Sequence, residues 1–420
     1  MDRHVAFDAL HNFRDLGGYR TADGRRIRPG VLYRSDSLGK LTTGTPDWSR
    51  FLSLGVRTVV DLRYPWEIER QGRVPADDSY AYVNLSIEHQ PYNQAALAPE
   101  TDPGPYLAER YLQVAEDGRK EIRTALETIA TASTTAPLVF HCASGKDRTG
   151  ELAALVLTLL GVDERTVVED FTLTELASAA LLSDWQARHN GQSPTWLGFG
   201  RAPASVMRGF LGLLKERYGS VEGYVTQALG MDAESLAAKL AANLLEPFPT
   251  THPPLTYRRA EPQDAERLVH LRDSVALWML ARDIDQWKPA EKDAAHFRTR
   301  MAEGEVWLAY ADGHVAGAYE LWWTDEAAWG PRPADAGYIH RLMTTPHLAP
   351  PGTGRALLTH AESRIAAAAL PYARLDCLST NPRLRTYYEK AGYTVTGEQP
   401  AKKDGSGSPY AVTLLEKHLP

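Results

Sequence analysis

Two α/β domains in tandem are the architecture this sequence predicts, on three observations. Short β-branched or apolar runs are interleaved with helical stretches along the whole chain, the pattern of sheets with helices around them. The 420 residues exceed what one hydrophobic core usually holds. A proline cluster, EPFPTTHPP at 246–254, puts four prolines in nine residues, which cannot run as a helix or an inner strand. That stretch is expected to link domains spanning 1–245 and 255–420.

In the first domain, Val56–Leu62 (VRTVVDL) reads as a buried strand and Tyr82–Leu85 as a shorter one. Helices are expected over roughly 105–115 and 119–130, then a strand over Pro137–His141 (PLVFH). From Thr149 a helix follows that is apolar on nearly every side, with Leu152, Ala153, Leu155, Val156, Leu159 and Leu160. Such a helix must be buried, and Gly161 suits its C-terminal cap. In the second domain, LTYRRA reads as a strand, with a helix from near Pro262. Val306–Ala311 and His314–Trp323 form a hairpin about the Asp312-Gly313 turn. Strands over Gly337–Thr344 and Tyr372–Leu378 alternate with helices from PPGTGR and from Asn381, and last strands close the chain around a loop near Gly405.

Composition is that of a soluble globular protein, 43% hydrophobic and 24% charged. A net charge of −7 argues against a nucleic-acid binder, which needs a basic face. The two cysteines, Cys142 and Cys377, exclude a disulfide framework and fit a reducing cytoplasm. The start, MDRHVAFDALHNFRD, has no apolar core of a signal peptide, and the longest apolar stretch, Leu152–Leu160, is too short to span a bilayer. A cytoplasmic protein without membrane insertion is expected.

The chemistry is concentrated in HCASGKDRTG, between the strand PLVFH and the buried helix. Strand, tight loop and helix N-terminus make an anion site, because backbone N–H groups and the helix dipole converge there. Cys142 opens the loop and Arg148 closes it. The amides of Ala143, Ser144, Gly145 and Lys146 can curl around a phosphate above the sulfur, and the planar fork of Arg148 can grip two of its oxygens. Helix N-termini and nearby cations favour a thiolate, so Cys142 is the candidate nucleophile, forming a phosphocysteine. Thr149 is placed to donate its hydroxyl to the sulfur, and His141 to brace the loop. The bland alternative, a buried structural cysteine at a strand end, leaves the glycines and cations of the loop unexplained. Lys146 adds a charge that suits a substrate with more than one negative group, or is a solvated side chain that tunes the potential. Asp61 either orients the loop or Arg148, or pairs with Arg63.

These residues resemble the bacterial tyrosine/serine phosphatase family, whose loop reads HCxAGKDRTG. NFRDLGGY (Asn12–Tyr19), RPGVLYRSDSL (Arg28–Leu38), VVDLRYPWEIE (Val59–Glu69) and YGSVEGY (Tyr218–Tyr224) stand in the family's order around the loop. The resemblance implies a protein-tyrosine-phosphatase-like fold and metal-free hydrolysis of phosphate monoesters. Some members accept phosphoserine, phosphothreonine and phosphoinositides besides phosphotyrosine. It also puts Arg34 and the Asn12–Asp15 turn in the same pocket. No Trp-Pro-Asp triplet supplies the usual general acid; TPDW at Thr45–Trp48 differs in place and order. The resemblance favours Asp147 as the acid, with Glu88 as the backup.

From 255 to 420 the chain resembles a GNAT-type N-acetyltransferase, with the mixed α/β sheet that implies. One carrier is the glycine turn at Gly352 and Gly354, opening a helix at Arg355; backbone N–H groups there would hold the pyrophosphate of coenzyme A. The other is NPRLRTYYEKAGY, in which Asn381 would contact the cofactor arm and Tyr388 would protonate the departing thiolate. By the same resemblance Leu342, Thr344, Thr353 and Arg355 line the acetyl-CoA site. The family's Arg-x-x-Gly-x-Gly begins here with Ala349, Pro350 and Pro351, which bring no charge and two residues without an N–H. Glu320 and His340 are the candidate bases for an unknown amine acceptor. Trp278, Trp287, Trp307, Trp322, Trp323 and Trp329 read as core packing, or as an aromatic acceptor pocket.

The reading is an enzyme that hydrolyses phosphate monoesters, on a phosphorylated protein or a small molecule, and carries an acetyl-CoA-dependent second domain. The rival is a nucleotide, sugar or inositol phosphatase of a biosynthetic pathway whose second domain only binds coenzyme A or serves as a scaffold.

Overall fold

The computed structural model describes residues 3–249, 254–284, 286–402 and 410–420. They fall into two compact units, Arg3–Thr250 with Leu280–Asp283, and Thr251–Met279 with Ile284–Pro420. The loop expected near Gly405 and part of the proline-rich stretch lie outside the described residues. The start of that stretch is not a free linker. Leu245–Pro247 pairs antiparallel with Arg25–Ile27, and Glu246 takes an ion pair at 2.6 Å from Arg26. Proline is tolerated there because this two-stranded ribbon leaves an outer edge unpaired.

The first unit is built on a five-stranded sheet in the order Arg14–Asp15, Leu32–Ser35, Leu138–His141, Thr58–Asp61, Ala81–Asn84. All neighbours are parallel except the two-residue edge strand. The central strand LVFH is buried at every residue, as an apolar run flanked by parallel strands must be. In register, His141 stands beside Ser35 on one side and Asp61 on the other. The carboxyl ends of four strands therefore meet on one edge, where open α/β sheets bind ligands.

The helix expected from Thr149 begins two residues earlier and runs Asp147–Leu159, with eleven of its residues buried. Its cap is as expected. Gly161 has φ 78°, and the N–H of Val162 reaches back to the carbonyl of Leu157, closing the helix as a left-handed glycine does. Around it pack the apolar faces of Pro103–Asp117, Arg119–Ile129, Glu164–Thr172, Val221–Gln227 and Ala233–Leu244. The strand Leu32–Ser35 was not legible in sequence, because its pattern is broken by Arg34, a fully buried arginine.

The second unit is a seven-stranded mixed sheet in the order Thr394–Lys402, Tyr410–His418, Tyr372–Leu378, Ala336–Thr344, His314–Trp322, Glu305–Ala311, Thr256–Arg259. The Asp312-Gly313 turn has positive φ at both residues, 50° and 76°, the requirement of a type I′ hairpin. Among the described residues of this sheet the one parallel pair is Ala336–Thr344 with Tyr372–Leu378, and its pairing ends at Ile339 and Leu375. Beyond it a bulge sets Arg341 and Leu342 opposite Tyr319 alone, with Arg341 at φ 44°. A bulge bends its strand, so the two parallel strands part into a fork past His340. The helices Thr353–Ala367 and Pro382–Lys390 follow these two strands. No helix among the described residues is long and apolar enough to cross a membrane.

Candidate active site

The loop from His141 to Gly150 is held from outside. The carbonyl of Ala143 accepts from the N–H of Ser37 at 3.1 Å, that of Ser144 from Asn12 Nδ2 at 2.9 Å, and that of Gly145 from Arg34 Nη2 at 2.6 Å. Three successive carbonyls are thus turned outward, which leaves the amides to face the inside of the curl, a backbone anion nest. Gly145 is required for this shape. It has φ +68°, and a Cβ there would lie 2.6 Å from the carbonyl oxygen of Ser35. The loop leads directly into the N-terminus of Asp147–Leu159, whose dipole adds to the site.

Arg34 is not in the pocket with the substrate-facing groups. It is fully buried and ties Gly145 to Asp170, its Nη1 lying 2.5 Å from that carboxylate. Asp170 also holds Arg14 at 3.2 Å and accepts from Tyr19 Oη. Burial works to raise the Asp170 pKa, but Arg14 and Arg34 outweigh it and hold the carboxyl down at about 2. Burial in turn pulls Arg34 down to about 10. Asp61 forms the ion pair with Arg63, with contacts of 2.7 and 2.9 Å, and neither side chain is exposed. It does not reach Arg148 but stands 3.5 Å from His141, whose Nδ1 lies 3.2 Å from the Cys142 carbonyl. Burial, the first cause, opposes ionisation of Asp61, and His141 and Arg63 overcome it, leaving it at about 2.

Arg148 is engaged by Glu67, Nη1 to Oε2 at 2.6 Å and Nη2 to Oε1 at 3.1 Å, the bidentate geometry it would offer a phosphate. Glu67 belongs to the run VVDLRYPWEIE, in which no local pattern marks it as a partner of the loop. It sits in the first turn of Pro65–Gln71, where it also caps the N–H of Tyr64 at 2.9 Å. Asp147 accepts from Tyr111 Oη at 2.7 Å and lies 3.3 Å from Lys146 Nζ. Glu88 is 3.6 Å from Arg148 and 3.7 Å from Arg110. Its burial raises its pKa above the usual carboxylate range, against the pull of Arg148. Lys146 is not a solvated lysine: it is buried, with its ammonium 3.2 Å from the Arg201 carbonyl. The Thr149 hydroxyl is buried and has no hydrogen-bond partner among the described residues.

Ala143, Ser144, Lys146, Asp147 and Arg148 line a cleft of about 760 Å³, walled by Tyr64, Trp66, Tyr92, Trp185 and Phe199. Trp66 is half exposed and stacks on Tyr64 at 5.6 Å. Asp170, Tyr111 and Glu67 are the site's unforeseen members. Asp170 and Tyr111 touch their partners across 136 and 36 residues of sequence, and no local pattern encodes such contacts.

A model of the tyrosine phosphatase family matches residues 5–246. The chain belongs to that family. A tyrosine-protein phosphatase candidate of Cupriavidus necator is 30% identical over 248 residues, covering 56% of this chain and 87% of that protein. The triple specificity protein phosphatase PtpB of Mycobacterium tuberculosis is 28% identical over 263 residues, covering 52% and 91%. A model of the acetyltransferase (GNAT) family matches residues 272–393. The uncharacterized N-acetyltransferase YesJ of Bacillus subtilis is 28% identical over 144 residues, covering 32% of this chain and 79% of that protein. The phosphatase-family domain is therefore followed by a domain of GNAT fold.

In the GNAT domain, Gly352 caps the helix Thr353–Ala367 with φ 85°. A Cβ on Gly354 would lie 3.1 Å from Tyr387 Oη, 3.7 Å from Thr344 and 3.8 Å from Leu342, so the turn, Leu342 and Thr344 do converge. Arg355 occupies the first turn of that helix. The Thr353 hydroxyl and N–H both point to the Pro350 carbonyl, at 2.7 and 3.1 Å, because the two prolines tighten the turn. The Asn381 side chain caps its own helix by accepting from Leu384 N–H at 3.1 Å, as an asparagine N-cap does. Tyr388 packs between Tyr387 and Tyr393, and burial pushes its phenol well above the ordinary range, while Tyr387 is the more exposed of the pair and faces Gly354. Glu320 is bound to Arg341 at 2.7 Å.

Proposed function

We propose that the first domain hydrolyses aryl phosphate monoesters, phosphotyrosine foremost, through a phosphocysteine on Cys142. The outward anchoring of the Ala143, Ser144 and Gly145 carbonyls carries this reading, since it turns a ring of N–H groups onto one phosphate. Cys142 Sγ attacks phosphorus, the bond from phosphorus to the ester oxygen breaks, and that oxygen takes its proton from Asp147. Arg148 exchanges Glu67 for the equatorial oxygens. Water then attacks phosphorus, giving its proton to the Asp147 carboxylate, the S–P bond breaks, and the Thr149 hydroxyl, buried and otherwise unpartnered, hydrogen-bonds the departing thiolate. The aromatic walls of the cleft support an aromatic ester. Lys146 and the kinship with PtpB, whose name states triple specificity, support activity beyond phosphotyrosine.

The second domain is proposed to acetylate an amine from acetyl-CoA. The Gly352–Arg355 turn at a helix N-terminus, next to a forked parallel pair, supports it; the inward-turned Thr353 and the two prolines leave it fewer donors for the pyrophosphate. Hydrolysis of a small aryl phosphate, with EDTA present, tests the first reading: Cys142→Ser abolishes turnover. Asp147→Asn then slows poor leaving groups more than good ones, and the same selectivity in Glu88→Gln instead would transfer the acid role. Equal turnover by wild type and Cys142→Ser would end the thiolate reading.

A further inference from the structure

Beyond the cofactor turn, the GNAT domain holds a charged cluster built around His340, in which Asp325 also caps the short helix Glu326–Trp329 through Ala328 N–H at 3.2 Å. His340 lies between two carboxylates, its Nε2 3.3 Å from Asp325 Oδ2 and its Nδ1 4.0 Å from Asp376 Oδ1. Lys402 Nζ is 2.6 Å from Asp376 and 3.9 Å from Asp325. Asp325 is nearly buried, and burial opposes its ionisation, but His340 and Lys402 prevail and hold its carboxyl below the usual range. The Lys402 ammonium already stands between the two carboxylates, so the cluster is not a metal site in waiting.

The position of the cluster gives it a use. His340 is the first residue past the last paired position of the parallel strands, and its neighbour across the fork is Asp376, one past Leu375. The two strand faces differ. Gly337 lies against Ile365 of the helix Thr353–Ala367, and Ile339 shares that core. Side chains alternate along a strand, so His340 faces away from that helix, towards Trp322, whose ring centroid is 4.4 Å off. Two residues further on, Leu342 reaches the wall at Gly354. His340 therefore stands at the opening of the fork, on the face opposite the cofactor helix. The other candidate base, Glu320, is the cross-strand partner of His340, and its carboxylate is committed to Arg341.

We propose that His340, oriented through Nε2 by Asp325, is the general base for a primary amine acceptor that enters the fork on this face. The inference rests on the acetyltransferase reading of this domain. The amine nitrogen forms its bond to the thioester carbonyl carbon and passes its proton to Nδ1 of His340, the ring nitrogen not held against Asp325. The C–S bond breaks, and the coenzyme A thiolate takes a proton from a tyrosine or from water. The products are the N-acetylated amine and free coenzyme A thiol, and His340 returns its proton to solvent.

The experiment uses the full chain, with spermidine, tyramine and Nα-acetyl-lysine amide as amines, and follows thiol release. Acetyl-CoA binding is measured separately by calorimetry. His340→Ala should bind acetyl-CoA within twofold of wild type, lose about 100-fold or more in turnover, and regain at least tenfold with added imidazole. Glu320→Gln should stay within about fivefold of wild type. Wild-type transfer that His340→Ala matches, or a loss that imidazole does not rescue while acetyl-CoA still binds, would overturn the base assignment alone. No acetyl-CoA binding, or binding without transfer to any amine by the wild type, would overturn the acetyltransferase reading and this assignment with it.

Discussion

Replacing Gly145 by alanine tests the loop geometry more sharply than removing any side chain. The residue has φ +68°, and an added Cβ would sit 2.6 Å from the Ser35 carbonyl oxygen, 2.7 Å from its carbon and 2.8 Å from the Asp36 nitrogen. These are backbone atoms of a buried strand that pairs with His141, so they cannot swing aside. To reach ordinary contact the loop must retreat by about 0.7 Å, and misplacement on the 1 Å scale costs on the order of 100-fold in rate. The left-handed conformation adds about 1–2 kcal/mol of instability. Gly161→Ala is the control. It has φ +78°, but its Cβ would meet nothing nearer than 4.0 Å, so it incurs the conformational cost without the displacement. We expect both variants to melt lower, Gly145→Ala by more than Gly161→Ala because it adds a backbone clash, with kcat/KM for an aryl phosphate falling about 100-fold in Gly145→Ala and less than threefold in Gly161→Ala. If Gly145→Ala kept kcat/KM within threefold of wild type, or the two variants were equally impaired, the anchored-loop argument would be refuted.

Asp170, held at about 2 by Arg14 and Arg34 against its burial, should make stability depend on acid. Its folded pKa lies below the ordinary 3.8, so its contribution is present above that value and is lost as pH falls through about 2; the gap corresponds to roughly 2–3 kcal/mol. Urea unfolding should show the difference between wild type and Asp170→Asn shrinking by about 2 kcal/mol from pH 4 to pH 2, where the group is still half ionised, and a constant difference would contradict the linkage. In the GNAT domain, Ala349→Arg restores a charge beside the Gly352–Arg355 turn and should tighten acetyl-CoA by about tenfold in calorimetry; an unchanged Kd would show that the prolines, not the missing charge, limit the turn.

The sequence by itself determined the two α/β domains, the strand–loop–helix that carries Cys142 and Arg148, and the hairpin at Asp312-Gly313. Each is written in contiguous residues, where periodicity, glycine placement and loop spacing act over one or two turns of chain. Tertiary structure alone decided what surrounds those elements. Arg34 breaks the apolar pattern of its strand, and only its partners Asp170 and Gly145 explain a buried guanidinium there. Glu67 becomes the keeper of Arg148 because a short helix lays its first turn against the loop. Asn381 and Thr353 keep the residue types expected at a cofactor site, yet spend their hydrogen bonds on a helix cap and on the Pro350 carbonyl. His340, one of two candidate bases in sequence, is set apart from Glu320 by carboxylates from two other segments and by the bulge that opens the fork. Hydrogen bonds between residues far apart in sequence depend on how the layers pack, and a linear pattern holds no record of which donors that packing leaves free.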